Sequence, residues 1–379
     1  MSILIGADLV PTKSNVRYFE EGNAEYLLGA DLLEVMKQAD YRIMNLETPL
    51  CDEESPILKC GPNLIASAKS VNGYAAMGID FVTMANNHIL DHGEQALNST
   101  CKVLDEKGIV HLGTGDTMEN AWYPCFFTWK NKKIGIYACA ENEFTIATEE
   151  TAGANPFDPL NSPDHVQQAK KQCDYLIVLY HGGREYYRYP SVELQKRCRK
   201  LVEKGADLVL CQHSHCVGCE EKYQDSTIVY GQGNFLFDDG DDEFWATGLL
   251  IQIDEDFAVT YLPLKKVDET VRLAQGEEAE EILSGFQLRS SQILNPEFVK
   301  TNYRKTAEEN LHYYLLEMSG LKRNILYRAM NKLLKRKLDQ WYLAYHMGMK
   351  KLLQLENYIS CEAHREIILT GIQKQRRSK

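Results

Sequence analysis

Short apolar runs and helix-like spacings alternate along the first two thirds of the chain. Short runs rich in apolar residues at 3–8, 41–46 and 79–84 predict buried strands. Between them, apolar residues recur at helical spacing over 24–38, and a similar pattern covers 190–204. Strands that alternate with helices in this way are typical of an α/β fold with parallel strands.

Two further pairs of strand-like runs are separated by short polar turns. The runs 125–129 and 132–139 flank Lys130-Asn131, which predicts a hairpin. The runs 246–253 and 257–264 predict a second hairpin that completes the sheet system.

The pattern changes near residues 268–275, where strand-like runs stop and long helical spacings begin. We therefore predict an α/β domain over 1–270 and a helical extension over 271–379. Within the extension, helices are predicted at 277–288, 306–318, 324–347 and 350–372. An apolar stripe around Leu333–Tyr345 is expected to pack on the α/β body or on a second subunit. In the second case the protein would be a homo-oligomer.

Composition excludes two broad classes of protein. With 44% hydrophobic residues in 379, the chain can bury a large core and is not disordered. Its formal net charge of −12 argues against a general nucleic-acid binder. The charge is uneven, because residues 301–379 contain 16 Lys and Arg against 7 Asp and Glu. This basic tail could dock a partner, bind an anionic polymer, reach a membrane surface or simply form a solvated helical cap.

Cysteine usage and hydropathy predict the compartment. The eleven cysteines are scattered and lie mostly in strand-like or helix-like segments, which favours reduced thiols over a disulfide framework. No signal-peptide pattern precedes the first strand, and no run of 18 apolar residues occurs. We therefore expect a soluble, cytoplasmic protein without a transmembrane segment.

Polar side chains follow the predicted strands at the point where each strand ends. The ends of parallel strands gather at one edge of a sheet, so these side chains should lie together. Mixed nitrogen and oxygen ligands suit Mn, Fe or Zn. Glu47 could bridge two divalent ions, with Asp8 and one histidine on one side and Asn87 with two histidines on the other. The strand-end groups are Asp8, Asn45 with Glu47, Asn86-Asn87-His88, His181, and His213 with His215.

These motifs, in this order, resemble the bacterial capsule-synthesis CapA family, which is named for poly-γ-glutamate biosynthesis and belongs to the calcineurin-like metallophosphoesterase superfamily. The resemblance covers about residues 1–265. It rests on Gly6-Ala-Asp8, Asn45-Leu-Glu47, Asn86-Asn-His-Ile-Leu-Asp-His-Gly93, His181-Gly-Gly-Arg-Glu-Tyr186, His213-Ser-His215 and Tyr230-Gly-Gln-Gly-Asn-Phe-Leu-Phe-Asp238.

The resemblance implies a four-layer α/β/β/α sandwich with two divalent metal ions. It assigns Asp8 and His215 to the first ion, Glu47 as the bridge, and Asn87, His181 and His213 to the second. It also places His88 next to the leaving-group oxygen, with Asp91 in a position to orient the His88 ring. The chain departs from the superfamily pattern after Asp8, where no histidine follows, so the first ion has fewer protein ligands.

The resemblance makes metal-dependent hydrolysis of a phosphoester the leading functional hypothesis, connected with capsule or cell-surface polymer metabolism. The substrate would be a small or polymeric anion. Lys59 or Arg184 could stabilise developing charge, Glu185 could line the cleft, and Asn234 could support the site through loop geometry. Two alternatives stay open: a weakly catalytic or non-catalytic component that binds an anionic polymer, and an amide or peptide hydrolase.

Overall fold

The computed structural model describes residues 2–238, 240, 242–321 and 324–377. The described strands are numbered in chain order. They are β1 Ile3–Val10, β2 Tyr41–Leu46, β3 Phe81–Thr83, β4 Val110–Leu112, β5 Thr114–Gly115, β6 Cys125–Trp129, β7 Lys132–Ala140, β8 Gly153–Ala154, β9 Tyr175–His181, β10 Leu208–Gln212, β11 Glu220–Tyr223, β12 Ser226–Tyr230, β13 Asn234–Phe237, β14 Thr247–Ile253, β15 Val259–Val267 and β16 Thr270–Leu273.

The described helices surround the sheets and then dominate the C-terminal part of the chain. They are α1 Val16–Glu20, α2 Ala24–Gln38, α3 Val71–Ala76, α4 Gly93–Glu106, α5 Met118–Ala121, α6 Ser162–Lys170, α7 Val192–Glu203, α8 Gly276–Gln292, α9 Pro296–Ser319, α10 Ile325–Leu333, α11 Lys337–His346, α12 Met349–Ser360 and α13 Glu362–Arg377.

Two mixed sheets form the body of the protein. The first has the order β16-β15-β14-β1-β2-β3-β4, with β13 also paired to β1, and the second has the order β11-β12-β10-β9-β7-β6. In each sheet the central strands are parallel: β1, β2, β3 and β4 in the first, and β7, β9, β10 and β12 in the second. Antiparallel hairpins extend the edges, as the two pairs of strand-like runs predicted.

Alternation of side chains along the second sheet shows how the layers stack. Ile177 and Leu179 of β9 join the core shared with the first sheet, whereas Val178 and Tyr180 join a separate core with residues of α6 and α7. Because side chains alternate between the faces of a strand, one face of this sheet lies against the first sheet and the other against helices. Helix α2 buries Leu28 and Leu32 in the shared core, on the side of the first sheet. The four-layer α/β/β/α arrangement is therefore confirmed.

The body continues past the predicted end of the α/β domain. The chain divides into one compact unit that ends at Val299 and a second that begins at Lys300. Helix α8 buries Phe286 in the core of the first unit, where its ring lies 4.7 Å from that of Tyr261. The sequence-based boundary at 268–275 thus precedes this helix, because a change of periodicity marks where strands stop, not where the core stops.

The prediction of a single helix over 324–347 is wrong. It is two helices, α10 and α11, separated at Lys335 and Arg336, whose φ angles are 49° and 63°. Left-handed backbone at two consecutive non-glycine residues ends α10, and no glycine or proline marks the break in the sequence. The predicted helix over 350–372 likewise divides at Cys361, whose backbone is extended (φ −78°, ψ 117°).

Within the part of the chain that the structure describes, every helix is too short or too polar to cross a lipid bilayer.

Candidate metal centre

The predicted strand-end residues do meet, at the edge where the central strands of both sheets end. Asp8 lies in β1, Glu47 directly follows β2, and His181 is the last residue of β9. Because the two sheets pack face to face, residues 173 positions apart in sequence, Asp8 and His181, contribute to one buried cluster. Asp8, Glu47 and His181 are all at most 2% exposed.

An irregular register in β1 positions Asp8. The pairing of β1 with β2 shifts between Ile5 and Asp8, which leaves backbone carbonyl groups of β1 outside the regular ladder. Two buried glutamine side chains satisfy these carbonyls. Gln232 Nε2 donates to the Ile5 carbonyl at 2.6 Å, and Gln212 Nε2 donates to the Gly6 carbonyl at 3.1 Å. The bulge is thus held in place by the last residue of β10 and by a residue of the segment between β12 and β13.

The pair His213 and His215 depends on strained backbone. Their φ angles are 87° and 53°, in the left-handed region that non-glycine residues seldom adopt. The residues directly follow β10, and these two angles turn the chain so that both rings point inward and are at most 6% exposed. Such strain persists only where surrounding structure holds it, and it is concentrated at functional sites.

One half of the cluster is built around His181. Its Nε2 lies 3.0 Å from Asn87 Oδ1 and 3.1 Å from Glu47 Oε1, so a nitrogen and two oxygens converge on one point. The other ring nitrogen, Nδ1, lies 3.3 Å from the Asn45 amide nitrogen. The ring of His213 lies 4.8 Å from that of His181, centroid to centroid. These are the residues that the resemblance assigns to the second ion.

The other half is built around Asp8 and His215. His215 Nδ1 lies 3.5 Å from Asp8 Oδ2 and 2.9 Å from Asn234 Oδ1. Asn45 Nδ2 donates to Asp8 Oδ1 at 2.7 Å, so this amide lies against both halves. Glu47, His213 and His215 each offer a ligand atom within 4.8 Å of the others, so this carboxylate lies close to one histidine of each half.

Burial shifts the pKa values in the direction that keeps the cluster uncharged. It raises the pKa of Glu47 to about 8, and burial together with the nearby Glu47 charge raises that of Asp8 to about 6. Burial lowers the pKa of His181 to about 4. The pKa of His213 lies well below its ordinary value, mainly because burial penalises the charged ring, and the neighbouring rings of His181 and His215 add to this effect.

Several acceptor atoms in the cluster are buried without a hydrogen bond. Among the described residues, Asp8 Oδ2, both carboxyl oxygens of Glu47 and His213 Nδ1 form no hydrogen bond, and the nitrogens nearest to two of them are imidazole nitrogens: His181 Nε2 lies 3.1 Å from Glu47 Oε1, and His215 Nδ1 lies 3.5 Å from Asp8 Oδ2. A buried polar atom without a partner costs about 1–3 kcal/mol. Four such atoms, all of them metal-ligand types and all facing one cluster, fit a divalent cation far better than a protein core.

A second group of side chains adjoins the cluster through His88. His88 Nδ1 lies 2.6 Å from Asp91 Oδ2, as expected for a carboxylate that orients the ring. The same carboxylate accepts the Leu64 backbone N–H at 2.6 Å and forms an ion pair with Lys59. Lys59 Nζ also lies 3.2 Å from His88 Nδ1, and its side chain is only 3% exposed. Lys59 is therefore a buried partner of the His88–Asp91 pair.

We expect Lys59→Met to lower the free energy of unfolding by about 3 kcal/mol, because it leaves the Asp91 carboxylate buried without its cation. Urea denaturation measures this loss. Lys69→Met is the matched control: this lysine is exposed, and its removal should change stability by less than about 0.5 kcal/mol. Equal stability of the two variants would contradict a structural ion pair at Lys59.

Sequence reasoning missed Glu143 and Trp245. Glu143 Oε1 lies 3.7 Å from His213 Nε2, slightly closer than Glu185 Oε1 at 4.0 Å. The position of Glu143, three residues after the end of β7, could have indicated its place near the cluster. The Trp245 ring stacks on His215, with centroids 4.6 Å apart and planes 16° apart, and no local pattern could have indicated this contact.

The family model for "Bacterial capsule synthesis protein PGA_cap" matches residues 4–239, which is more than half of the chain. The chain belongs to this family. It is 27% identical to the capsule biosynthesis protein CapA of Bacillus anthracis over 214 residues, which cover 54% of this chain and 52% of that protein. It is 26% identical to the PGA biosynthesis protein CapA of Bacillus subtilis, with 54% and 55% covered. The chain thus spans about half the length of these family members.

Among solved structures, the chain is similar to a phosphatase from Mycoplasma pneumoniae, with a TM-score of 0.45, 15% identity, and coverage of 71% of this chain and 94% of that one. It is also similar to a Staphylococcus aureus protein described as a 5'-nucleotidase, with a TM-score of 0.42, 15% identity, and coverage of 75% and 57%. These matches are too distant to indicate a function.

Proposed function

We propose that this member of the capsule synthesis family is a metal-dependent phosphoester hydrolase. The observation that carries the proposal is the buried cluster of ligand-type atoms without hydrogen bonds, next to a histidine held by a carboxylate. Asp8, Glu47, Asn87 and the three histidines at 181, 213 and 215 would hold two divalent ions, with Mn, Fe and Zn all compatible with these ligands. When bound, such ions acidify water and polarise phosphoryl oxygens.

The protein's own side chains would transfer the proton, orient the rings and contact the substrate. His88 would hold a proton at the leaving-group oxygen, with Asp91 fixing the ring and Lys59 neutralising the Asp91 carboxylate. Asn234 would hold the His215 ring by contact with Nδ1. Arg184 and Glu185, in the segment that follows β9, would contact the substrate at the rim. Given the names of its relatives, we propose an anionic substrate from capsule or cell-surface polymer metabolism.

Charge at the rim favours catalysis over simple binding of a polyanion. Glu143 and Glu185 both lie within about 4 Å of His213, so a carboxylate polymer would meet like charges there. Bound cations would attract a phosphoester and a carboxylate alike, so the rim charge disfavours long runs of carboxylates rather than anions in general. The proposal also includes a reducing compartment, because all eleven cysteines are free thiols.

One experiment tests the metal and the reaction together. We expect protein purified without chelator to contain about two divalent ions per chain and to hydrolyse an aryl phosphodiester with added Mn. Chelator treatment should abolish turnover, and Mn should restore it. Asp8→Asn should lose activity, whereas Asp207→Asn, at a carboxylate ion-paired with Lys170 outside the cluster, should not.

Other experimental outcomes would favour the two alternative functions. Two bound ions with no turnover of phosphomonoesters or phosphodiesters would favour a binding component. Turnover of a γ-glutamyl anilide but of no phosphoester would favour an amide hydrolase. Absence of bound metal, together with unimpaired activity after chelation, would contradict the proposed mechanism.

A further inference from the structure

Helix α10 has its polar side turned inward. Tyr327 Oη donates to Asp339 Oδ1 at 2.7 Å, and Asn331 Nδ2 donates to Asp339 Oδ2 at 2.7 Å, so these two polar residues connect α10 to α11. The left-handed turn at Lys335 and Arg336 joins the two helices as a hairpin. Tyr327 and Asn331 are the least exposed residues of α10, and no residue of this helix is buried.

The apolar residues of α10 lie on its outside. Ile325, Leu326, Met330 and Leu333 are 77%, 75%, 55% and 82% exposed. At 100° per residue they share one face, roughly opposite the Tyr327–Asn331 side. A helix at the surface of a water-soluble unit normally presents the reverse arrangement. Four aliphatic side chains in water on one short helix therefore indicate an apolar partner outside this unit.

The core of the C-terminal unit does not need these side chains. It is formed by Leu315 and Leu316 of α9 and Leu343 of α11, with Leu352 and Leu355 of α12 packed against them. None of these residues belongs to α10. The apolar face of α10 thus remains outside a core that the neighbouring helices complete without it.

The chain segment that carries this face is mostly basic, and Glu309 and Glu317 of α9 line a cavity together with Arg328 and Lys332. Residues 324–355 contain seven Lys and Arg but a single acidic residue, Asp339. Both carboxyl oxygens of Asp339 are used by Tyr327 and Asn331. On α10 itself, Arg328 and Lys332 share the flank next to Ile325. An aliphatic face bordered by cations is typical of a helix that lies in the plane of an anionic membrane.

We propose that α10 docks this protein on the surface of an anionic lipid bilayer. The aliphatic face would enter the boundary between headgroups and acyl chains, and Arg328, Lys332 and the following basic residues would contact lipid phosphates. Trp341 and Tyr345 of α11 are also exposed, and both residue types favour the membrane interface. The helix lies on the membrane and does not span it.

Vesicle co-sedimentation of the full-length chain tests this proposal. We expect binding to phosphatidylcholine vesicles that contain about 30% phosphatidylglycerol, weaker binding as salt is raised, and little binding to phosphatidylcholine alone. Leu326→Glu with Leu333→Glu should lower the partition coefficient at least about tenfold, and so should Arg328→Glu with Lys332→Glu. Circular dichroism would establish that both variants keep their helix content.

The matched control reverses two charges elsewhere. Lys102 and Lys196 are exposed on α4 and α7, and Lys102→Glu with Lys196→Glu should leave vesicle binding within about twofold of the original value. The proposal is overturned if the unaltered protein fails to bind the anionic vesicles, if it binds phosphatidylcholine equally well, or if the α10 variants bind normally. It is also overturned if light scattering shows that the leucine variant dissociates a dimer while vesicle binding persists, which would identify the face as an interface between copies.

Discussion

Replacing Glu47 with Gln should make the metal-free protein more stable and should abolish binding of at least one of the proposed metal ions. Burial raises the pKa of this carboxyl from 4.5 to about 8, so the folded metal-free chain opposes its ionisation. Gln keeps the size of the side chain but carries no charge. We expect the metal content to fall from about two ions per chain to one or none, and turnover to drop at least about 10³-fold, because Glu47 is the proposed bridge between the two ions.

The stability gain should depend on pH with a defined sign. The folded pKa exceeds the unfolded one, so the unaltered metal-free protein loses stability as pH rises from about 4.5 to about 8. The Gln variant lacks this loss. Urea denaturation in chelator should show the variant more stable by on the order of 2 kcal/mol at pH 8, with the difference vanishing near pH 4.5. Added Mn should reverse the ranking, because it stabilises only the chain that binds it.

Glu221→Gln is the matched control. This buried glutamate accepts a 2.6 Å hydrogen bond from Arg199 and another from the Tyr230 hydroxyl, also 2.6 Å. Its replacement should lower the free energy of unfolding by about 1–3 kcal/mol and leave metal content unchanged. If both glutamine variants are destabilised equally in chelator, Glu47 is not an unpaired buried carboxyl and the metal-centre interpretation loses its main support.

Replacing His88 with Ala should lower kcat by about 10²–10⁴-fold without loss of metal. The ring lies beside the cluster but is held by Asp91 and Lys59, so its removal leaves the six proposed ligand residues in place. A group that gives a proton to the leaving oxygen matters most for poor leaving groups. The loss should therefore be larger with phenyl phosphate than with p-nitrophenyl phosphate, measured as kcat at saturating Mn.

His111→Ala controls for the loss of an imidazole. His111 lies in β4 with Nε2 3.3 Å from the Asp105 carboxylate and outside the cluster, so its removal should leave kcat unchanged. Loss of bound metal in the His88 variant would instead identify His88 as a ligand. An identical loss of rate with both leaving groups would assign it a role other than proton transfer.

Local patterns determined much of the fold and the membership of the site. Helix α2 and strand β2 have the bounds that apolar spacing predicts, because the spacing of apolar residues determines which face of an element is buried. The strand-end motifs placed Asp8, Glu47, Asn87 and the histidines in one cluster, since parallel strands end at a common edge. Which residue would hold which ion came from the family resemblance alone.

Only the tertiary structure decided the contacts between distant segments. The burial of Lys59 against Asp91, the support of β1 by Gln212 and Gln232, and the stacking of Trp245 on His215 join residues 30 to 227 positions apart in sequence. No periodicity encodes such pairs, because each depends on how the two sheets pack. The break between α10 and α11 is similar: nothing in Leu-Lys-Arg-Lys ends a helix, and the bonds from Tyr327 and Asn331 to Asp339 favour the hairpin only once the chain has folded back.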